Sequence, residues 1–124
     1  MSQTYDLVIL GAGSGGYAAA LRGAQLGMSV ALVESDKVGG TCLHTGCIPT
    51  KALLHAAEVA DAANSGAKIG VNTSLDGIDM DKVNTYKDGV VDRLTKGLSS
   101  LIAARKIEYV EGWGTLTGPD TVQV

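Results

Sequence analysis

Tyr5-Asp6-Leu7-Val8-Ile9-Leu10-Gly11-Ala12-Gly13-Ser14-Gly15-Gly16 decides the fold of this chain. The first six residues are a nearly continuous apolar run. That pattern predicts a strand of a parallel sheet covered on both faces. Gly11, Gly13 and Gly16 then form G-x-G-x-x-G, directly after the strand and opening a helix. Gly11 suits a tight turn, Gly13 lets the backbone approach a pyrophosphate, and Gly16 lets the helix pack closely on the strand. The helix N-terminus offers free N–H groups and a positive dipole end to phosphates. The helix runs through Tyr17 and Leu21 to about Leu26, where Gly27 is a natural stop.

Ser29 to Glu34 is a second apolar strand, which completes a βαβ unit of about 30 residues with a parallel strand pair. Glu34 closes that strand 18 residues beyond Gly16. An acid near this distance accepts hydrogen bonds from ribose hydroxyls. It would repel a 2′-phosphate, which argues against NADP at this site. The glycines alone are a weak signal. Strand, glycines, helix, strand and acid together are a strong one for a dinucleotide.

The only two cysteines follow almost at once, in Gly39-Gly40-Thr41-Cys42-Leu43-His44-Thr45-Gly46-Cys47-Ile48-Pro49-Thr50-Lys51. A structural disulfide closing so short a loop stabilises by only about 2 kcal/mol. A metal site with His44 as third ligand lacks the usual C-x₂-C spacing and a near fourth ligand. No metal ligand is therefore assigned. A redox-active disulfide fits best. Five residues of ideal helix rise about 7.5 Å, whereas bridged Cα atoms lie within about 6.8 Å. The segment between bridged cysteines therefore cannot be regular helix. Proline is favoured at the first helical position, so Pro49 predicts a helix running to about Ala63 through Leu53, Leu54, Ala57 and Val59. Cys47 would lie just before that N-terminus, where the dipole favours a thiolate, with Lys51 adding positive charge. Cys42, further out along the chain, is the better candidate to meet substrate. Thr41 and Thr50 taken alone read as residues bonding local backbone, and His44 and His55 as ordinary polar residues.

Ala67 to Gly77 reads as loop with a short extended piece at Ile69–Val71. A third helix spans about Asp79 to Lys106. Met80, Val83, Val90, Leu94, Leu98, Leu101 and Ile102 recur at three- and four-residue spacing and predict its buried face. Lys82, Lys87, Asp88, Asp92, Arg93, Lys96 and Arg105 are read mostly as solvated. A strand at Ile107–Val110 and a small hairpin across Gly118-Pro119-Asp120 complete the chain. The fold class is thus α/β: a Rossmann-like parallel sheet flanked by helices, plus a small β-hairpin or meander.

The bulk properties narrow the function. The chain has 124 residues and a net charge of −3, with no basic block. Nucleic acid is not an expected partner. No signal-peptide pattern opens the chain, and no stretch reaches the roughly 18 apolar residues of a membrane span. A cytoplasmic location is the expectation. In a reducing cytoplasm a cysteine pair is more often catalytic or redox-sensing than structural.

The segment from Gly39 to Lys51 resembles the active-site segment of the flavin-dependent pyridine nucleotide–disulfide oxidoreductases. Cys47-Ile48-Pro49-Thr50-Lys51-Ala52-Leu53-Leu54 is most similar to the members that oxidise dihydrolipoamide, and the resemblance covers the chain from Tyr5 to the final hairpin. It implies tightly but non-covalently bound FAD at this first site, and NAD as co-substrate in a later domain. Gly11, Gly13 and Gly16 would face the FAD pyrophosphate and Glu34 the adenosine ribose. Gly40, Thr41 and Lys51 would lie along the cofactor, with Lys51 near the reactive flavin nitrogen. Gly114, in Glu111-Gly112-Trp113-Gly114, would meet the adenine end through its backbone. Cys42 would be the interchange thiol and Cys47 the thiol contacting the flavin. His44 stands where many relatives carry Asn.

The implied reaction is FAD-dependent oxidation of dihydrolipoamide to lipoamide, with NAD⁺ as final acceptor. The implied partner is an acyltransferase or carrier protein of a 2-oxo acid dehydrogenase complex, with a homodimer for the longer relatives. By the same resemblance, residues 1–124 are the N-terminal part of an FAD-binding domain. The NAD-binding and dimerisation domains, and the catalytic base, lie outside them. The expectation is that these residues alone do not turn over lipoamide with NAD⁺. Two alternatives stay open: a glutathione- or mercuric-reductase-like member of the family, and a non-catalytic nucleotide-binding redox sensor.

Overall fold

The computed structural model describes residues 2–124. Three parallel strands, β1 (Leu7–Leu10), β2 (Val30–Glu34) and β3 (Glu108–Glu111), form one sheet with β2 in the middle. Leu7 pairs with Val30 and Ile9 with Leu32 on one side of β2, and Leu32 with Tyr109 and Glu34 with Glu111 on the other. Helix α1 (Ser14–Gln25) connects β1 to β2. Between β2 and β3 come α2 (Gly40–His44), α3 (Cys47–Ser65), a 3₁₀ turn at Gly66–Ile69 and α4 (Met80–Ala104). A two-stranded antiparallel pair, β4 (Thr115–Leu116) and β5 (Val122–Gln123), ends the chain. Among the described residues, no helix is long and apolar enough to cross a membrane.

The main core cluster lies on one face of the sheet. Leu32 is fully buried, surrounded by Ala12, Ala20, Val30, Val38, Ile102 and Ile107. Leu7, Ile9, Tyr17, Leu21 and Leu98 pack against that cluster. Small residues let α1 approach: a Cβ on Gly16 would lie 1.8 Å from the Gly11 carbonyl oxygen. At the far end of the sheet Asp6 ties β1 to β2. Its carboxylate accepts the Ser29 amide at 2.8 Å and the Ser29 hydroxyl at 2.7 Å.

The opposite face is covered only in part. Ala31 and Val33 on the central strand are each 3% exposed there, as a sheet covered on both sides requires. Val8 and Leu10 on the edge strand, however, are 39% and 41% exposed. They point away from α1, toward the side where only the N-terminal residues and the β4–β5 pair approach. A strand's side chains alternate between faces, so the apolar run Leu7–Leu10 splits into a packed half and an open half.

Three further expectations are corrected. The helix expected from Pro49 starts at Cys47, because Gly46 caps it and the Thr50 amide donates to the Gly46 carbonyl at 3.1 Å. Pro49 falls in the first turn, where backbone N–H groups lack intrahelical partners in any case. The extended piece at Ile69–Val71 is absent: Ile69 ends the 3₁₀ turn, and Gly70 follows at φ +85°. On α4, Ile102 is buried and Val83, Val90 and Leu98 are half-buried, but Met80, Leu94 and Leu101 are exposed. Lys87, expected on the solvated side, is only 24% exposed and pairs with Asp88 at 2.9 Å. The buried stripe is narrow because α4 packs chiefly against α3, whose inward face is Ala52, Ala56, Ala60 and Ala63. Leu53, Leu54 and Val59 face outward.

Candidate functional site: a nucleotide cradle beside a cysteine pair

The glycine loop leaves β1 at Gly11, with φ +94°, and its amide donates to the Val33 carbonyl at 2.8 Å. Gly13 is extended and caps α1 without a side chain, so the first-turn amides of α1 meet no side-chain acceptor. A Cβ at Gly13 would meet nothing within 4 Å. The backbone there is open to a ligand.

Glu34 reaches back from the end of β2 to this loop. Its Oε2 accepts the Ala12 amide at 2.7 Å, and its Oε1 accepts the Asp36 amide at 2.9 Å. The Ala12 amide is the main reason that the Glu34 carboxyl sits below the usual carboxylate range; partial burial works against it. The chain then returns over the loop. The Gly39 amide donates to the Ala12 carbonyl at 2.8 Å, and Gly39 and Gly40 take φ of +104° and +60°. A Cβ on Gly40 would lie 2.8 Å from the Gly13 Cα, so two backbones touch where a side chain would part them. His44 fastens this return, its Nε2 bonding the Val38 carbonyl at 2.8 Å. Since a carbonyl only accepts, Nε2 carries the proton.

Two cavities share Glu34 as a wall. The larger, about 370 Å³, is lined by Gly13, Asp36, Lys37, Gly40, Thr41, His44 and Thr45 besides Glu34. The smaller, about 150 Å³, is bounded by Leu10, Gly11, Val33, Ser35, Gly112, Trp113 and Gly114 as well. A dinucleotide needs room for phosphates on one side of a ribose and a base on the other. One carboxylate between two clefts provides that layout, so these residues fit FAD. A further cavity, about 540 Å³, lies instead against the other sheet face, between Tyr5, Val8, Val110 and Val124. It contains none of the candidate residues, and its size reflects the thin cover on that face.

Cys42 lies in α2 and Cys47 is the first residue of α3, not a residue preceding it. The break between the helices falls at Thr45-Gly46. A Cβ on Gly46 would lie 2.9 Å from the Thr41 carbonyl, so the two turns stack tightly. Both cysteines are free thiols; Cys42 is half-buried and Cys47 exposed. The neighbouring Cys47 side chain, followed by burial, pushes the Cys42 thiol up, while the Cys47 amide and the Lys51 charge pull weakly the other way. Cys42 also walls a third cavity, about 260 Å³, with Tyr17, Gly39, Leu43, Ile48, Leu94 and Leu98. No charged side chain lines it.

The structure thus brings Gly13, Gly40, Thr41 and Glu34 together, and Gly11, Gly114 and Glu34 together. Cys42 faces a separate apolar slot. Gly16 serves helix packing, and Cys47 and Lys51 line none of these cavities. Sequence reasoning missed the Ala12 amide, Asp36, Lys37, Trp113 and the apolar wall of Tyr17, Ile48, Leu94 and Leu98. A lone tryptophan between two glycines was the one available signal among them.

A parallel sheet, a glycine loop closed by an acid, and a cysteine pair beside it define a class. The chain belongs to the pyridine nucleotide-disulphide oxidoreductase family, whose model matches residues 5–124. It is 49% identical over 119 residues to the dihydrolipoyl dehydrogenase of Bacillus subtilis, covering 96% of this chain and 25% of that relative. Identity is 45% with the dihydrolipoyl dehydrogenase of Thermus scotoductus, over 98% of this chain and 26% of the relative. With the mitochondrial dihydrolipoyl dehydrogenase of Dictyostelium discoideum it is 43%, over 99% and 26%. The chain spans about a quarter of the length of these curated relatives.

Proposed function

We propose that this chain is the N-terminal part of an FAD-binding domain in a flavoprotein that oxidises dihydrolipoamide to lipoamide through Cys42 and Cys47, with NAD⁺ as final acceptor. The observation that carries the reading is the unequal cysteine pair beside the nucleotide cradle. Cys42 borders an apolar slot, and its thiol is raised by Cys47. A dithiol entering that slot would meet Cys42 first, form the new bond there and expel Cys47.

A substrate thiolate bonds to the Cys42 sulfur, the Cys42–Cys47 bond breaks, and Cys47 leaves as a thiolate. The second substrate thiol, giving up its proton, attacks the substrate sulfur and releases Cys42. The substrate has then lost two electrons and two protons, and the cysteine pair holds the electrons. FAD, when bound, supplies the two-electron acceptor that returns the pair to its bridged form. Gly13, Gly40 and Thr41 would hold its diphosphate and Glu34 its ribose. Lys51, whose charge already acts on Cys42, would stabilise negative charge near the cysteine pair. The uncharged walls of the Cys42 slot suit an aliphatic dithiol better than a charged tripeptide such as glutathione. The names of the relatives support a dihydrolipoyl substrate. The family resemblance further implies that a carrier of a 2-oxo acid dehydrogenase complex would present it to a homodimeric enzyme, for which a cytoplasmic location remains the expectation.

The test uses the whole enzyme that carries these residues. It should be yellow, release FAD on denaturation, and reduce NAD⁺ with dihydrolipoamide. Cys42→Ser or Cys47→Ser should each abolish turnover with flavin retained. A colourless protein that binds NAD alone would sink the flavoenzyme reading. Faster turnover of glutathione disulfide than of lipoamide would sink the substrate.

A further inference from the structure

Helix α2 carries Cys42, yet its five residues make little more than one turn. Isolated helices that short are not stable in water, so contacts outside α2 must hold it. Its N-terminal side hangs from the core. Val38 belongs to the buried cluster, and the Gly39 amide donates to the Ala12 carbonyl. Leu43 folds back over this turn, where a Cβ on Gly39 would collide with the Leu43 side chain. His44 closes it. From the last position of α2 its half-buried ring returns six residues along the chain, and Nε2–H donates to the Val38 carbonyl at 2.8 Å. The segment from Val38 to His44 is thus a loop shut by one side chain, with Cys42 inside it. On the other side α2 meets the start of α3. A Cβ on Gly46 would lie 3.2 Å from the Cys42 Cα, and the Cys47 side chain and amide both act on the Cys42 thiol. The open dithiol already stands close to the arrangement that a bridge needs.

We propose that His44 is a positioning residue for the redox pair, its Nε2–H bond to Val38 holding α2 in the attitude that lets Cys42 and Cys47 bridge. The inference rests on the disulfide chemistry proposed above and deepens it at a third side chain. A bridge requires Cα atoms within about 6.8 Å and a set direction for each sulfur. A loose α2 would sample attitudes in which Cys42 points away, and each of these lowers the effective concentration of one thiol at the other. His44 works through that restriction and not through charge.

The test uses the whole flavin-loaded enzyme, equilibrated in buffers of reduced and oxidised dithiothreitol. On closing, Cys42 and Cys47 lose two protons and two electrons and gain one S–S bond, while the S–S bond of oxidised dithiothreitol opens to two thiols. Trapping with N-ethylmaleimide and mass spectrometry of the tryptic peptide Val38–Lys51, which holds both cysteines, give the bridged fraction. His44→Leu should lower the bridging constant on the order of tenfold. His44→Ala should do the same, which separates loss of the donor from a misfit of leucine. His44→Gln places an uncharged N–H donor as many bonds beyond Cγ as the histidine does, and should restore most of the constant. A wild-type enzyme that bridges and turns over lipoamide, with both donor-free variants bridging at the same buffer ratio, overturns the role of His44 and keeps the proposed function. An equal loss in all three variants overturns it too, since the donor is then not what matters. Flavin lost from both donor-free variants overturns it in favour of a part in holding the nucleotide. A wild-type pair that never bridges overturns the inference and the proposed function together.

Discussion

At the residue scale, Glu34 and the cysteines are the candidates to carry the chemistry. Besides the ribose contact proposed for it, Glu34 has a structural part, because its carboxylate fixes the Ala12 amide of the glycine loop. Its folded-state pKa is depressed from the ordinary 4.5, with the Ala12 amide the leading cause. The stabilisation is therefore full above the unfolded value and is lost as pH falls through the folded one. Glu34→Gln should cost the flavin-free chain on the order of 1 kcal/mol near pH 7, discounted for solvent screening. The two unfolding midpoints should converge as pH falls through the depressed folded-state value; a gap that stays constant however acid the solution would refute the charge-assisted bond. For the cysteines, Cys47→Ala removes the main group raising Cys42. The pH midpoint of Cys42 alkylation by iodoacetamide should move down, and an unmoved or raised midpoint would show that burial dominates instead.

At the element scale, the decisive contact is α1 on the loop that precedes it. Gly16→Ala tests it with opposed signs. Helix propensity favours alanine by about 1 kcal/mol. The added Cβ, 1.8 Å from the Gly11 oxygen, cannot fit without moving backbone. A net loss of about 1–3 kcal/mol in urea unfolding is expected, together with weaker nucleotide binding. A stabilised variant would mean that the loop yields easily. The α2–α3 break at Thr45-Gly46 works similarly: it sets Cys42 and Cys47 on different helices yet keeps them within reach of each other.

At the scale of the whole molecule, the β1 edge of one sheet face and the outer side of α3 stay open. Val8 and Leu10 on the sheet, and Leu54 and Val59 on α3, are each at least 39% exposed. Exposed apolar area of this kind favours association. Sedimentation of the 124-residue chain should show mass rising with concentration, and charged replacements at Leu54 and Val59 should reduce the effect. A monomer at all concentrations would mean that these patches are too dispersed to act as one surface. By contrast, Leu32→Ala in the closed half of the molecule should cost about 2–5 kcal/mol, measured by denaturant unfolding, since Leu32 is fully buried on the central strand.

The βαβ unit, the glycine loop with its closing acid, the long C-terminal helix and hairpin, and the close spacing of the two cysteines were all legible in the sequence alone. These rest on short-range rules: apolar periodicity, the left-handed backbone that glycine permits, and chain spacing between motif residues. Only the tertiary structure decided which groups meet. It put the Glu34 carboxylate on the Ala12 amide, Gly40 on Gly13, an apolar slot at Cys42 and Trp113 beside the smaller cleft. It also decided which apolar positions are buried, leaving Met80 and Leu101 exposed and Leu94 at the mouth of the Cys42 slot, because α3 offers α4 only a narrow face of alanines. Periodicity marks a face that could be buried. What covers it depends on segments tens of residues away, whose meeting is set by packing and not by local pattern.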